Sequence, residues 1–401
     1  VGQRGERERE QELTRRPLSL LRHPIIRWLL FERFLITASA LLALAALALG
    51  RVKPDEIPGL LDRRILSLFF VLTVAVELGK VSGLFDRLVA AVTRRARTTR
   101  GLAFSMIGVT ALLAAILTND VALFLVVPFT MLFPKTEGVT RAPFVVLEVL
   151  SANLLGAVTP VGNPQNIFLF DRGRFTLASF LSAQLPFAAG AAVLLVGTVF
   201  FIVPRRDLAP PAAVRFDVDP RLAAGFFGLL AAEVASLGGL VPHQVPLLLS
   251  VPGLILLGKR VFDADFSLVL VFALLFVGIP GLERGSVYQI LDPERIFGHR
   301  PVGLLLSGAL LSQVVSNVPA ALLLAPAAAT PAAFRGLLYG VTAGACGSPL
   351  GSVANLIGAQ IYVREGGRPR YFWRPFCAVS GALLVLLALF AVALLTLGGN
   401  K

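Results

Sequence analysis

The chain has 401 residues, 56% of them hydrophobic and only 15% charged, with a mean hydropathy of +0.79; soluble domains carry roughly 25% charged residues. That composition excludes a soluble globular protein, and the number of separate apolar runs excludes a single membrane anchor. The formal charge of +13 comes from 37 Lys and Arg against 24 Asp and Glu, but the basic residues are scattered over short loops without interleaved aromatics, so no nucleic-acid partner is expected.

Taken in chain order, residues 1–34 are too charged for a secretory signal and read as a cytoplasmic tail. Within it RHPIIRWLLFERF (22–34) is an interfacial, amphipathic approach to the membrane. Nearly charge-free runs follow at 35–49, 65–76, 101–117, 121–133, 185–203, 244–257, 266–282, 301–315, 318–334, 336–362 and 376–398. Leu, Ala and Phe dominate them and period-two alternation is absent, which predicts helices rather than a barrel. Runs 121–133 and 301–315 reach only about 20 and 22 Å, short of a hydrocarbon core of about 30 Å, so each reads as one arm of a re-entrant hairpin, 101–134 and 301–334.

Internal comparison pairs LTNDVALFLVVP (117–128) with VSNVPAALLLAP (315–326) at an offset of 198, matching Thr118 to Ser316, Asn119 to Asn317, Ala122 to Ala320 and Pro128 to Pro326. The same offset sets Gly83-Leu84 against Gly281-Leu282. At an offset of 189, TPVGNPQN (159–166) matches SPLGSVAN (348–355) through Thr159/Ser348, Pro160/Pro349, Gly162/Gly351 and Asn166/Asn355. The chain therefore reads as two copies of one unit, 35–203 and 241–401, with broken helices 142–170 and 336–362, joined by a linker and connecting span in 204–240. Four full spans per copy plus the connecting span make about nine, and the odd connecting span inverts the second copy. With a cytoplasmic amino terminus, 26 of the 37 Lys and Arg fall inside (1–34, 80–100, 135–141, 205–221, 259–260 and 364–374), leaving 11 outside. The expected fold is an all-α polytopic membrane protein of the cell membrane, with two inverted-topology repeats and the carboxy terminus outside.

Backbone without helical hydrogen bonds is tolerated at membrane depth only where protein buries it or a watery cavity meets it. The interruptions at 118–120, 159–166, 316–317 and 348–355 therefore mark a cavity. Helix amino-termini there suit an anion, while terminal carbonyls with Asn, Ser and Thr oxygens suit Na⁺. Glycine lets backbone approach a ligand and proline keeps the helix from closing across the gap. A kinked packing helix would explain any one break; four in two matched pairs point to a site.

The tips Thr118-Asn119-Asp120 and Ser316-Asn317-Val318-Pro319, with the two Pro-x-Gly-x-x-x-Asn breaks, resemble the ion transporter superfamily of divalent anion/sodium symporters, citrate transporters and arsenite-efflux permeases. That resemblance, over 35–398, implies a homodimer in which a mobile domain moves in an elevator-like manner. It implies one cation site at Asn119, Gly162, Asn163 and Asn166 and a counterpart at Asn317, Gly351 and Asn355. The substrate would lie between the tips, near Thr118, Asn119, Thr159, Ser316, Asn317 and Ser348. The dicarboxylate branch carries Ser-Asn-Thr at both tips; here the first gains a carboxylate and the second loses a hydroxyl.

An ionised Asp120 would repel a dianion, and a titrating one suits proton coupling; it could equally cap the helix beginning at Val121. Glu77, Glu148 and Glu233 also lie in apolar runs, where an ionisable group must be paired, neutralised or functional. Glu77 is placed to pair with Lys80, Glu148 is a candidate for coupling, and Glu233 belongs to scaffold or dimer interface. Cys346 and Cys377 make no disulfide framework, and Cys346 reads as packing rather than as a soft ligand for trivalent arsenic. His23, His243 and His299 fall at helix ends or loops. No catalytic constellation, metal cluster or cofactor is expected beyond Na⁺ or H⁺ as coupling ion, and no Lys or Arg lies within the breaks. The sequence thus predicts a secondary active transporter of a small anion or oxyanion, arsenite-like, inorganic or carboxylate. A cation/proton antiporter using Asp120 is the alternative, with a channel or intramembrane enzyme more remote.

Overall fold

The computed structural model describes residues 34–94, 96–132, 140–208, 217–285 and 300–398. The expected tail, with Trp28 and His23, and the loop residue His299 lie outside the described residues. Among the described residues the regular structure is helical apart from one isolated bridge between Thr98 and Asp207. Chain that must satisfy its own backbone away from water has that solution available locally.

The first half runs α1 (Phe34–Ala48), α2 (Arg63–Val81), α3 (Leu84–Thr93), α4 (Thr99–Ile116), α5 (Asn119–Leu132), α6 (Ala142–Leu154), α7 (Pro164–Arg172) and α8 (Leu177–Ile202). After α9 (Pro220–Leu237), the rest runs α10 (Gln244–Leu257), α11 (Ser267–Glu283), α12 (Pro301–Val315), α13 (Asn317–Leu324), α14 (Pro331–Gly344), α15 (Val353–Arg364) and α16 (Pro369–Gly398). Polar side chains set several starts: Asp62 accepts from the amides of Arg64 and Ile65 ahead of α2, and Thr176 and Ser179 form a capping box for α8. Thr330 accepts from the Ala333 amide, with Pro331 filling the first position of α14.

Among the described residues five helices are long and apolar enough to span a membrane, α4, α8, α9, α10 with its following turn, and α16; α2 and α3, bent by 64°, make a sixth if taken as one span. The nine spans expected from sequence are therefore not matched one for one: α1 and α11 are only 15 and 17 residues long, roughly 22 and 26 Å, the broken helices are divided into α6 with α7 and α14 with α15, and α4, expected as a hairpin arm, is long enough to span. The bend after α2 is made by Gly83, whose φ of +76° is open to glycine. Its supposed partner Gly281 instead lies inside α11, pressed against Ala46 of α1, so that pairing is one of letters and not of backbone.

The helix at the centre is α6. Every residue of it except Pro143 is buried, and it packs against α4, α5, α8, α15 and α16. Around it, α2 gathers α9 and α10, α1 lies along α11, and α12 lies along α14. Among the described residues the contacts between distant loops join segments that the charge count put on one side. Arg64 pairs with Asp171 at 3.0 Å and Arg284 with Glu56 at 2.6 Å, all expected outside. The Thr99 amide donates to the Arg206 carbonyl at 2.9 Å and the Leu208 amide to the Arg97 carbonyl at 2.9 Å, all expected inside.

Candidate functional site

Helical structure stops where the sequence carries its odd residues. Between α6 and α7 the chain makes a 3-10 turn at Gly156–Val158 and then non-helical backbone to Asn163; between α14 and α15 it makes a 3-10 turn at Pro349–Gly351 and ends at Ser352. Short loops at Leu117-Thr118 and at Ser316 separate α4 from α5 and α12 from α13. Asn119, Asn163, Asn166, Ser316, Asn317, Ser352 and Asn355 are all at most 3% exposed, so their polar atoms must find partners inside the protein or in a ligand.

The two breaks are stitched in the same way. The Thr159 hydroxyl donates to the Ala115 carbonyl at 2.5 Å, and the Ser348 hydroxyl to the Gln313 carbonyl at 3.2 Å. Ala115 and Gln313 are themselves 198 apart. Asn166 Nδ2 donates to the carbonyls of Ala157 at 2.9 Å and Thr159 at 3.2 Å; Asn355 Nδ2 donates to those of Ala345 at 2.9 Å and Ser348 at 3.3 Å. Each asparagine thereby ties the helix after a break to the strand of carbonyls before it. Gly162 is needed for close approach: a Cβ there would collide with the Gly156 carbonyl, and its own carbonyl accepts the Asn119 amide at 2.9 Å.

Both halves meet on Asn153, near the end of α6. Its Oδ1 accepts from Asn119 Nδ2 at 3.0 Å and from the Ser352 hydroxyl at 2.9 Å, while its Nδ2 donates to Asn355 Oδ1 at 2.9 Å. Its backbone carbonyl accepts from Asn163 Nδ2 at 2.9 Å. Sequence reasoning missed this residue, because LSANLL carries no glycine or proline; the available signal was an uncharged amide inside an apolar helix.

The tips are less alike. At the first, Asn119 Oδ1 accepts from the Asp120 amide at 3.0 Å and Thr118 Oγ1 accepts from the Val121 amide at a long 3.5 Å. Thr118 and Asn119, not Asp120, thus supply the capping oxygens of α5, and Asp120 Oδ1 has no hydrogen-bond partner. At the second, Ser316 holds φ +74° and ψ 158°, a region almost confined to glycine. Asn317 has the Ser316 hydroxyl at 3.4 Å as its side-chain partner and no hydrogen bond to Gly351 or Asn355. Gln313 makes that connection instead, donating to the Gly344 carbonyl at 2.9 Å and accepting from the Ser348 amide at 2.7 Å.

A cavity of about 400 Å³ lies beside the first tip, large enough for a small solute. Thr118 and Asp120 line it with Glu77 and Lys80 of α2, Asp265 ahead of α11, and Arg364 at the end of α15. Glu77 and Lys80 pair at 2.7 Å, as their spacing predicted. Lys80 and Arg364 supply the cationic groups that the breaks lack, and neither was legible as a cavity residue because each comes from another helix. Of the residues predicted for the site only Thr118 and Asp120 line this cavity; Asn119, Glu148, Ser316, Asn317 and the predicted residues of both breaks (Thr159, Gly162, Asn163, Asn166, Ser348, Gly351 and Asn355) do not. Glu148 is fully buried and hydrogen-bonded by the Thr130 hydroxyl of α5, facing the hairpin arm and not the breaks. Glu233 is buried on α9, among α2 and α10. Cys346 is wholly buried in the apolar core, as packing requires.

Comparison with known proteins finds relatives over most of the chain. Inner membrane protein YbiR of Escherichia coli is 32% identical over 342 residues, 83% of this chain and 86% of that protein. An uncharacterized transporter of Methanocaldococcus jannaschii is 27% identical over 332 residues, 81% of this chain and 88% of its own. The silicon efflux transporter LSI3 of Oryza sativa subsp. japonica is 30% identical over 151 residues, 37% of this chain and 31% of that protein. The family and two of these names are those of transporters, none is that of an enzyme, and they place the chain in the superfamily its motifs resemble. The citrate transporter family matches residues 26–346, and the chain belongs to it: it is a multi-pass membrane transporter.

Proposed function

We propose that this protein is a secondary active transporter moving a small anion, an oxyanion or an undissociated oxyacid across the cell membrane, coupled to Na⁺ or H⁺. The observation that carries the reading is the paired stitching of the two breaks, joined through Asn153 beside a cavity of solute size. The matched bonds of the two breaks support two copies of one unit, each with a re-entrant hairpin, and the loop contacts agree with the grouping of loops that the charge count gave. An elevator-like cycle in a homodimer is the mechanism we adopt, with the first tip and its break travelling together because Asn119 is bonded to both Gly162 and Asn153.

The cavity lining carries three carboxylates, Glu77, Asp120 and Asp265, against two cations, Lys80 and Arg364. That balance disfavours a citrate trianion and favours a monoanion or a neutral oxyacid, a class that accords with the silicon efflux relative. The same acidic balance favours a second reading, a cation/proton antiporter using Asp120. Purified protein in liposomes, given a panel of oxyanions, oxyacids and carboxylates under separate Na⁺ and pH gradients, should accumulate one class against its gradient. Movement of Na⁺ against protons with no solute would select the antiporter, and no movement of anything would refute both.

A further inference from the structure

Two spanning helices end side by side. α4 begins at Thr99 and α8 finishes at Ile202, and both are long and apolar enough to cross a membrane, so the residues just beyond those ends lie at the depth of lipid headgroups. There two distant loops are pinned into one edge. Thr98 bridges to Asp207, the Thr99 hydroxyl donates to the Pro204 carbonyl, and the Arg206 amide donates to that hydroxyl at 3.0 Å. Arg94, Arg97 and Arg100 arrive from one side of the seam, Arg205 and Arg206 from the other.

Arg100 is committed to the fold. Its Nε donates to the Val203 carbonyl at 3.0 Å and its Nη2 to the Phe200 carbonyl at 3.2 Å, closing the end of α8, and its guanidinium lies 5.1 Å from the centre of the Phe200 ring. The other four arginines are exposed, and among the described residues none has a carboxylate within ion-pair distance. Asp207 is the one acidic residue in 94–100 and 203–208.

The surface beneath them is apolar and open. Phe104 of α4 meets Phe200 of α8 at 5.8 Å between ring centres. Gly108 and Leu112 continue the Phe104 face of α4 at steps of four, and Gly197 and Val193 continue the Phe200 face of α8. Leu112, Val193 and Phe200 are exposed, and a Cβ at Gly108 or Gly197 would meet nothing within 4 Å. Loop charge alone orients a chain without joining its loops. Here the seam gathers unpaired cations over one apolar face, which suits a ligand with an anionic head and apolar tails.

We infer that this edge binds one anionic phospholipid, its phosphate held by Arg97, Arg205 and Arg206 and its acyl chains lying along the Phe104–Phe200 face. The site is separate from the solute cavity, since none of these residues lines that cavity. Its occupancy therefore does not depend on which solute is carried.

The test is native mass spectrometry of the purified full-length protein in detergent, titrated with phosphatidylglycerol and with phosphatidylcholine of the same chains. Wild type should bind one phosphatidylglycerol per chain at least tenfold more tightly than phosphatidylcholine; a preference under twofold would overturn the inference. An arginine near an anionic headgroup is worth about fivefold, so the triple variant Arg97→Gln, Arg205→Gln, Arg206→Gln should lose the preference. Lys259→Gln with Arg260→Gln, a comparable loss of charge on another loop, should keep it. A preference that survives in the triple variant, or that vanishes equally in the control, would also overturn the site. Inorganic phosphate at constant ionic strength should not displace the lipid; displacement would leave the chains without a role and refute the lipid assignment. If the triple variant does not insert and fold, the wild-type preference and the phosphate competition decide.

Discussion

Replacing Gly162 by alanine puts a methyl group where there is no room for one. The added carbon would overlap the Gly156 carbonyl and stand 3.1 Å from the carbonyl oxygen of Ala114, so backbone must give way on both sides. Overpacking of that kind costs about 1–3 kcal/mol. Displacing the Gly162 carbonyl also strips the buried Asn119 amide of its 2.9 Å acceptor, worth about 1–3 kcal/mol more. The total, about 2–6 kcal/mol, corresponds to a fall in Tm of roughly 4–12 °C at the large-protein end of the scale. Cys346 is wholly buried, so a thiol-reactive dye reports unfolding once the exposed Cys377 is changed to serine. Gly197→Ala and Gly228→Ala, where nothing lies within 4 Å, should gain about 0.5–1 kcal/mol from helix propensity and melt no lower than wild type. A Gly162→Ala protein melting within about 1 °C of wild type, with transport intact, would refute the close approach of tip and break.

Asp120→Asn should leave the fold in place and flatten the dependence of transport on proton gradient; an unaltered pH profile would leave Asp120 without a coupling role. Glu56 lies in the turn ahead of α2, where the Arg284 hydrogen bond holds its carboxyl below the usual carboxylate range. A folded-state value below the unfolded one means that the pair's contribution is present above about pH 4.3 and is lost as pH falls through the folded value. Wild type should therefore melt slightly above Glu56→Gln at pH 6, with the gap narrowing as pH falls below about 4.3; a gap that widens on acidification would contradict the assignment.

The breaks were legible because TPVGNPQN and SPLGSVAN combine residues that end helices, and both do end them. Glu77 and Lys80 were legible because a helix places i and i+3 on one face. Asn153 was not, since its neighbours spell an ordinary apolar helix and its partners lie 34, 199 and 202 residues away. The cavity was hidden for the same reason: Lys80, Asp265 and Arg364 come together only once α2, α11 and α15 have packed. Gly281 misled because glycine serves two purposes, turning a chain at 83 and admitting a neighbouring helix at 281.

Ser316 bears on how the molecule can be tuned. Its backbone sits where a side chain costs about 1–3 kcal/mol, and its counterpart at the first tip, Thr118, has no positive φ and bears no such load. The two tips are thus unequal springs, one relaxed and one held under tension by α12 and α13 on either side. Glycine at 316 would slacken the second, and an engineer wishing to change how readily one tip yields, without touching the other, has in that single position a mechanical handle.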